Sequence, residues 1–295
     1  MYNKIFLTGA NGFVGKNISS FLKGRYQINS YNRNQVVSIN ENIVIHLAGK
    51  AHDLKNTTRS DEYYQVNTEL TKIIFDAFLA SDAEVFITLS SVKSVADELN
   101  GILLEEHIPN PITHYGKSKQ LAEQYILSKP IPKGKRVYIL RPCMIHGPGN
   151  KGNLNLLYKV VSKGFPWPLG AFENKRSFCS IDNLCFVIQE LIAQIEIPSG
   201  IYNVSDDVPL STNEIIQLIS EIKGSRLKIL KINKSIISKF AQFGDLFKLP
   251  LNSERLNKLT ENYIVSNEKI KSAIGKNLPV SSKQGLLKTF NSFSF

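Results

Sequence analysis

Two tyrosines in the stretch "THYGKSKQLAEQYILSK" each have a lysine four residues later: Tyr115 with Lys119, and Tyr125 with Lys129. On a helix that spacing puts phenol and ammonium on one face, close enough to touch. A free phenol titrates at about 10, too high to exchange protons readily at neutrality. A neighbouring cation stabilises the phenolate and lowers that value, so such a pair is a candidate proton-transfer device. The bare spacing does not choose between the two copies. Lys129 precedes Pro130, where a helix should stop, but context must decide between the pairs.

The second chemical signal is "IFLTGANGFVGKNI", with Gly9, Gly12 and Gly15 directly after an apolar run and at the mouth of a helix. Glycines there let the backbone turn tightly and approach a pyrophosphate. The helix N-terminus then offers unpaired N–H groups to the negative charge. The spacing is one residue longer in its first step than the usual dinucleotide fingerprint, but the strand–turn–helix context is the confirming one. Enzymes that use NAD usually carry an acid at the end of the second strand, to grip the ribose 2′-hydroxyl. Here "SYNRN" places Asn32 and Arg33 at that point. An arginine can meet a 2′-phosphate and no carboxylate repels it, which favours NADP, with NAD as the alternative.

These residues need a scaffold, and the first 145 residues supply one. Short apolar runs ("KIFLTGA", "YQINSYN", "NIVIHLAG", "EVFITLSS", "RVYILRP") alternate with helical segments. Strict alternation of that kind predicts an α/β fold, a Rossmann-type doubly wound parallel sheet covered on both faces. In the long helix "SDEYYQVNTELTKIIFDAFLAS", Val66, Leu70, Ile73, Ile74 and Ala77 mark the expected apolar stripe. Beyond Pro142 the texture changes to turns, an irregular loop and further helices. One helix should be capped by Ser211 or Thr212 with Glu214 in its first turn. The amphipathic "SIISKFAQFGDLFKLPL" reads as a helix packed on its own domain.

Bulk properties exclude several classes. The chain has 295 residues, 42% hydrophobic and 21% charged, ordinary for a soluble globular protein. No segment approaches the roughly 20 apolar residues of a membrane span, and nothing reads as a secretion signal. Cys143, Cys179 and Cys185 lack zinc-site pairing and are expected as reduced core thiols in a cytoplasmic protein. The five histidines show no metal-ligand spacing. A net charge of +11 invites a nucleic-acid partner, but the basic residues are spread along the chain and no recognition motif accompanies them. A positive field equally suits a small polyanionic substrate.

Together these pieces resemble the extended short-chain dehydrogenase/reductase family, in its nucleotide-sugar epimerase/dehydratase branch. "TGANGFVG", "HLAG", "VNTELT", "LSSVK", "YGKSK" and "LRPCMIHGPG" carry the likeness, in the right order over nearly the whole chain. "GNLNLLYKVVSKGFPWPLGAFENKRSF" and "YNVSDDVPLST" carry a narrower one, to bacterial enzymes acting on UDP-N-acetyl-aminosugars in surface-polysaccharide synthesis. Tyr115 stands where the family's tyrosine stands, 24 residues after Ser91. The resemblance implies Ser91, Tyr115 and Lys119 as catalytic residues, with Tyr115 the proton donor, Ser91 aligning the sugar oxygen and Lys119 also holding the nicotinamide ribose. It implies that Gly9, Gly12, Phe13, Val14, Gly15, Asn32, Arg33, Leu47, Ala48, Gly49 and Pro142 line the cofactor with Tyr115 and Lys119. For a UDP-sugar substrate it implies Asn153, Leu154, Arg176 and Arg255 beside Ser91.

It further implies a nucleotide-binding domain over 1–148 with a returning segment at 177–205. A smaller α/β substrate-binding domain then takes 149–176 and 206–295. Relatives pair as homodimers through the "VNTELT" and "YGKSK" helices. Where 4,6-dehydratases carry an Asp-Glu pair after the serine, this chain has Val92 and Lys93, so dehydration is not expected. Two activities remain: a 4-keto reductase consuming NADPH, favoured by Asn32–Arg33 and by the subgroup likeness, and a 4-epimerase with tightly held NAD. A non-catalytic NADP sensor is a third, disfavoured because tyrosine and lysine are both kept. Three departures stand out: the short stretch between Arg33 and Ile43, Met144 where epimerases often have Asn, and Asn183 in place of an aspartate.

Overall fold

The computed structural model describes residues 4–32, 36–50, 59–150, 152–224, 227–247 and 252–293. Its strands are β1 (Lys4–Thr8), β2 (Gln27–Ser30), β3 (Ile43–His46), β4 (Val85–Leu89), β5 (Ile102–Leu103), β6 (Arg136–Pro142), β7 (Met144–His146), β8 (Phe178–Ser180), β9 (Gly200–Val204) and β10 (Ile264–Val265). The helices are α1 (Phe13–Leu22), α2 (Ser60–Tyr63), α3 (Leu70–Ala80), α4 (His114–Leu127), α5 (Asn153–Val161) and α6 (Ile181–Ala193). They continue with α7 (Thr212–Ile222), α8 (Lys234–Phe247), α9 (Ser253–Thr260), α10 (Glu268–Ile274) and α11 (Ser282–Asn291).

Six strands form one parallel sheet in the order β2-β1-β3-β4-β6-β9. Side chains alternate between its faces. Ile5, Leu7, Ile45, Ile87 and Leu140 pack against α1 and α6, while Phe6, Val44, Phe86 and Ile139 pack against α3 and α4. Both faces are covered, which is why the strands read as unbroken apolar runs. The order reverses at β1, so the carboxyl ends of β1 and β3 diverge and open a crevice there. Among the described residues no strand lies outside β2, in keeping with the short stretch from Arg33 to Ile43.

The long helix differs from its predicted stripe. α2 runs into α3 through a π-helical turn, Tyr64–Glu69, which shifts the register of the face. The buried positions are Tyr63, Asn67, Thr68, Thr71, Ile74, Phe75 and Phe78. Ile73 is exposed, and Val66, Leu70 and Ala77 are only half-buried. The extra residue in the π turn moves polar Asn67 and Thr71 inward where apolar periodicity pointed elsewhere.

A second core gathers Leu154, Tyr158, Trp167, Leu210, Ile216 and Phe290 from α5, α7, α11 and the connecting segments. Tyr263, Val265, Ile270 and Ile274, from the 206–295 stretch, instead join the cluster under the sheet. Ser211 caps α7 in a reciprocal capping box with Glu214. The three cysteines are free and buried, and burial raises all three thiols, Cys185 to about 12. Asn183 donates to Asp206 at 2.6 Å and to the Val280 carbonyl at 2.8 Å. The carboxylate missing at 183 is therefore replaced by one arriving from the loop after β9. α8 packs less fully than its pattern suggested: it buries Ile237, Ala241 and Gly244 and leaves its phenylalanines exposed.

Two polar devices join sheet and helices. Glu123 on α4 accepts from Arg141 of β6, Nη2 at 2.6 Å and Nε at 3.0 Å. It also accepts from the hydroxyls of Ser94, at 2.7 Å, and Ser90. Charge and lone pairs are thus satisfied in a site where both side chains are almost fully enclosed. The other is a directed chain of hydrogen bonds. Thr71 donates its proton to the Asn67 carbonyl at 2.8 Å, so His46 Nε2–H is the donor to Thr71 Oγ1 at 3.0 Å. Nδ1 of the neutral ring then accepts from Thr8 Oγ1 at 2.8 Å, and Thr8 accepts from Ala48 N–H at 3.0 Å. Burial, helped by the charge of Lys119, holds His46 down to about 3.

Removing one partner of the enclosed ion pair leaves a bare charge, so Glu123→Ala should cost about 3–5 kcal/mol in urea unfolding. Glu123→Met combined with Arg141→Met should recover most of that loss. For His46, ring ¹⁵N shifts should report a neutral Nε2–H tautomer from pH 7 down to about pH 4. Its folded value lies below the unfolded value of about 6.5. The stability it contributes is therefore present above pH 6.5 and lost as pH falls toward 3.

Candidate active site

Ser91 leaves the end of β4 and caps a short 3₁₀ turn, Val92–Ser94; its Oγ accepts the Lys93 N–H at 3.2 Å. The first turn of α4 lies directly against this turn. Thr113 caps α4 through its hydroxyl, which accepts from Gly116 N at 3.1 Å. Asp97 holds the approach to the cap, accepting from Ile112 N at 2.7 Å and Thr113 N at 3.1 Å. Gly116 makes the close contact possible: a Cβ there would lie 2.3 Å from the Lys93 carbonyl oxygen. The result is that Ser91 lies near enough to Tyr115 to act on its phenol.

Tyr115 is half-buried, with the Tyr63 ring edge-on at 6.1 Å. Burial raises its phenol above the usual range; the Ser91 hydrogen bond pulls it down and Tyr63 pushes it up. Lys119, one turn further on, is buried, and its Nζ donates to the Leu89 carbonyl at 2.8 Å. Burial lowers Lys119 to about 8, against the opposing pull of Glu123. The expectation that Lys119 depresses the phenol is therefore not met by the chain itself. Desolvation outweighs any attraction, and Tyr115 is a protonated acid at neutral pH.

The other tyrosine–lysine pair behaves as surface. The Tyr125 hydroxyl donates to Asp76 at 2.6 Å, and Lys129 Nζ sits 4.7 Å above its ring. A shallow depression of about 350 Å³ is lined by Tyr64, Lys72, Leu121 and Tyr125, on the outer side of the helices carrying "VNTELT" and "YGKSK".

The glycine loop faces the crevice between β1 and β3. Gly9 has φ +72°, and a Cβ on it would be 2.7 Å from Ala48 N; one on Gly15 would be 2.2 Å from the Gly9 carbonyl. Gly12 N donates to that carbonyl at 3.0 Å and precedes α1 without a side-chain cap. Phe13 and Val14 open the helix, whose first N–H groups thus face the loop, the arrangement that fits a pyrophosphate. Leu47 and Ala48 form the opposite wall. Gly49 ties this wall to the catalytic helix, since a Cβ there would lie 3.1 Å from Lys119 Nζ and 3.2 Å from Asn67 Oδ1. Asn32 follows β2, whose neighbour Tyr31 donates its N–H to Leu7 O at 2.8 Å. Pro142 ends β6 in register with Val204. Arg33 lies outside the described residues, as does His52. The glycine turn and the uncapped start of α1 fit the pyrophosphate of a dinucleotide.

The four substrate-side residues sit elsewhere. Asn153 is the exposed first residue of α5 and Leu154 the buried second, in the second core. Arg176 pairs with Glu261 at 3.2 Å and donates to the Lys258 carbonyl at the end of α9; Arg255 sits in the first turn of that helix. Arg176 is close enough to Lys93 to lower it, though burial is the larger cause. Lys93 itself donates to the Asp97 carbonyl at 2.6 Å and lies 4.1 Å over the Tyr263 ring.

Sequence reading missed Asn67, Gly116, Asp97 and Glu123. Asn67 accepts from Lys50 N at 2.8 Å and donates to Ser118 Oγ at 3.0 Å, holding the Leu47–Lys50 loop against α4. No periodic signal marked Asn67, because the π turn brings it inward off the stripe counted at 3.6 residues.

Comparison with known proteins agrees with this geometry. The family model described as "NAD dependent epimerase/dehydratase family" matches residues 5–205. UDP-glucose 4-epimerase of Vibrio cholerae is 29% identical, over 99% of this chain and 96% of that protein. The N-acetyl-α-D-glucosaminyl-diphospho-ditrans,octacis-undecaprenol 4-epimerase of Escherichia coli O157:H7 is 26% identical, over 81% of this chain and 75% of that protein. Among solved structures, RMD from Pseudomonas aeruginosa in complex with NADPH superposes with a TM-score of 0.76 at 21% identity, covering 99% and 97% of the two chains. With the glycine cradle, the parallel sheet and the Ser91–Tyr115–Lys119 group in place, the chain belongs to the NAD dependent epimerase/dehydratase family and is an NAD(P)-dependent enzyme of the extended short-chain dehydrogenase/reductase type.

Proposed function

We propose that this enzyme reduces the C4 ketone of a UDP-2-acetamido-2,6-dideoxy-4-ketohexose with NADPH. The observation that carries the reading is the convergence of Ser91, on the turn after β4, with Tyr115 and Lys119, on the helix that Gly116 seats against that turn. Bound NADPH supplies the hydride that the ketone carbon accepts. Ser91, fixed by its own turn, donates to the ketone oxygen and aligns it. Tyr115 gives that oxygen its proton as negative charge develops there, the role of a general acid. Lys119, with a value of about 8, is mostly charged at neutrality and steadies the phenolate that remains. Gly49 leaves room for its ammonium beside the cofactor loop.

The residue types at the end of β2, Asn32 and Arg33, support NADPH because no carboxylate opposes a 2′-phosphate. Arg176 and Arg255 are the proposed diphosphate ligands, with Asn153 and Leu154 contributing from the start of α5. Arg176 is already neutralised by Glu261, so a diphosphate would take that carboxylate's place. Removal of water is not part of the reading. Val92 is buried, and Lys93 is held over Tyr263 where a dehydratase needs acids. We further propose a homodimer through the side of α3 and α4 that exposes Ile73 and Leu121.

The second reading, a UDP-sugar 4-epimerase with NAD, is favoured by the names of the two relatives above. The two are separated by incubating the protein with UDP-N-acetylglucosamine and with the 4-keto-6-deoxy sugar, each with and without NADPH. NADPH oxidation with the keto sugar alone is the expected result; C4 epimerisation without added reductant would replace the reductase by the epimerase. Tyr115→Phe should lower kcat/KM by about 10²–10⁴ with the fold intact. In the reductive direction kcat/KM should fall as pH rises through about 8, where Lys119 loses its charge, and Lys119→Arg should remove that step. Gly15→Ala should weaken NADPH binding about tenfold or more in a fluorescence titration, a loss of about 1.4 kcal/mol.

A further inference from the structure

Three of the five exposed phenylalanines among the described residues lie on one helix, α8. Ile236, Phe240, Phe243 and Phe247 follow one another at intervals of four, three and four, so they form a single stripe. They are 50%, 66%, 51% and 61% exposed, and the rings of Phe243 and Phe247 lie 4.3 Å apart. The adjacent stripe, Ile237, Ala241 and Gly244, is the one the protein buries. α8 therefore has an apolar arc about twice as wide as its own domain covers. Leu246 extends it on the far side.

The charge around the stripe is one-sided. Residues 227–247 hold Lys228, Lys231, Lys234 and Lys239 against a single acid, Asp245. All four lysines are exposed. Asp245 is turned to α9, where it accepts from Ser253 N at 3.0 Å and Ser253 Oγ at 2.6 Å. Lys239 lies beside the stripe and Lys228 and Lys231 precede the helix, whereas Lys234 faces the other way, its Nζ 5.7 Å over the Phe172 ring. An aromatic stripe with such lysines near it suits an anionic lipid surface: rings enter the headgroup boundary while ammonium groups stay with the phosphates. A symmetric pairing of two copies through this stripe would set the same lysines against one another, which costs energy. We propose that α8 docks this enzyme peripherally on an anionic membrane through Ile236, Phe240, Phe243 and Phe247, with the flanking lysines on the headgroups.

The test is sedimentation of the full chain with vesicles of phosphatidylcholine alone and of phosphatidylcholine with phosphatidylglycerol in equal parts. Binding is expected only to the anionic vesicles and should fall as salt is raised. Phe240→Ser and Phe243→Ser should each reduce partitioning about tenfold. Lys231→Gln and Lys239→Gln should each reduce it severalfold. Every variant should keep wild-type NADPH binding and thermal midpoint, which separates loss of docking from loss of fold. Absence of sedimentation, or equal binding to neutral vesicles, overturns the proposal. So does a dimer in light scattering that Phe240→Ser converts to monomer while vesicle binding is nil, which would assign the stripe to a second copy. None of these outcomes depends on which sugar the enzyme reduces.

Discussion

The Glu123 carboxylate accepts from a guanidinium and two serine hydroxyls in a space closed to water, and the geometry of the site follows from that arrangement. Glu123 lies one turn beyond Lys119 and two beyond Tyr115 on the same face of α4. Its partners are Arg141 on β6 and the two serines that flank Ser91. One carboxylate therefore fixes α4, which carries Tyr115 and Lys119, to the strand on one side and to the serine-bearing turn on the other. Such a cluster is a weak source of stability compared with apolar packing, but it admits one arrangement of its members. A helix held only by Ala122 and Ile126 would be free to slide by fractions of an ångström. That is enough to misalign a proton donor.

Missing side chains set the other distances. Gly9 and Gly15 bring the first loop within reach of β3's exit, Gly49 makes room for the Lys119 ammonium, and Gly116 lets α4 settle on the Lys93 carbonyl. In each case the atom a methyl group would strike is a backbone or a functional group of the site. The polar chain from Ala48 through Thr8, His46 and Thr71 to Asn67 then locks these pieces in one orientation, because every donor has a determined acceptor.

The sheet was legible in the sequence because strands buried on both faces are continuous apolar runs separated by helix-length intervals. The glycine loop and the choice of Tyr115 over Tyr125 were legible for a different reason: each has a neighbour, a preceding strand or Ser91, that fixes its meaning. The π turn at Tyr64–Glu69 was not legible. Its single extra residue shifts the buried face, and periodicity counted at 3.6 points to Ile73, which is exposed. The effect of burial on Tyr115 in the chain without cofactor was not legible either. Spacing shows that an ammonium is near, yet the balance between burial and attraction depends on where that ammonium points, and Lys119 points to Leu89. The width of α8's apolar arc could be read from residue types. How much of it the protein covers could not.

The distribution of charge gives these observations a common sense. Within the candidate site the strong charges are matched: Arg141 with Glu123, Arg176 with Glu261. The cationic groups without a carboxylate partner there, Lys119 and Lys93, rest on carbonyl oxygens and are lowered by burial. The positive charge left in the site is therefore that of the two lysines, and burial makes it costly to hold there without the carbonyl oxygens. The excess of +11 accordingly lies mostly outside it. Around α8 part of that excess, net +3 over residues 227–247, borders apolar surface. The same sign of charge therefore occurs in two settings in one chain, buried and held on carbonyl oxygens in the candidate site, diffuse and exposed where the protein meets its surroundings.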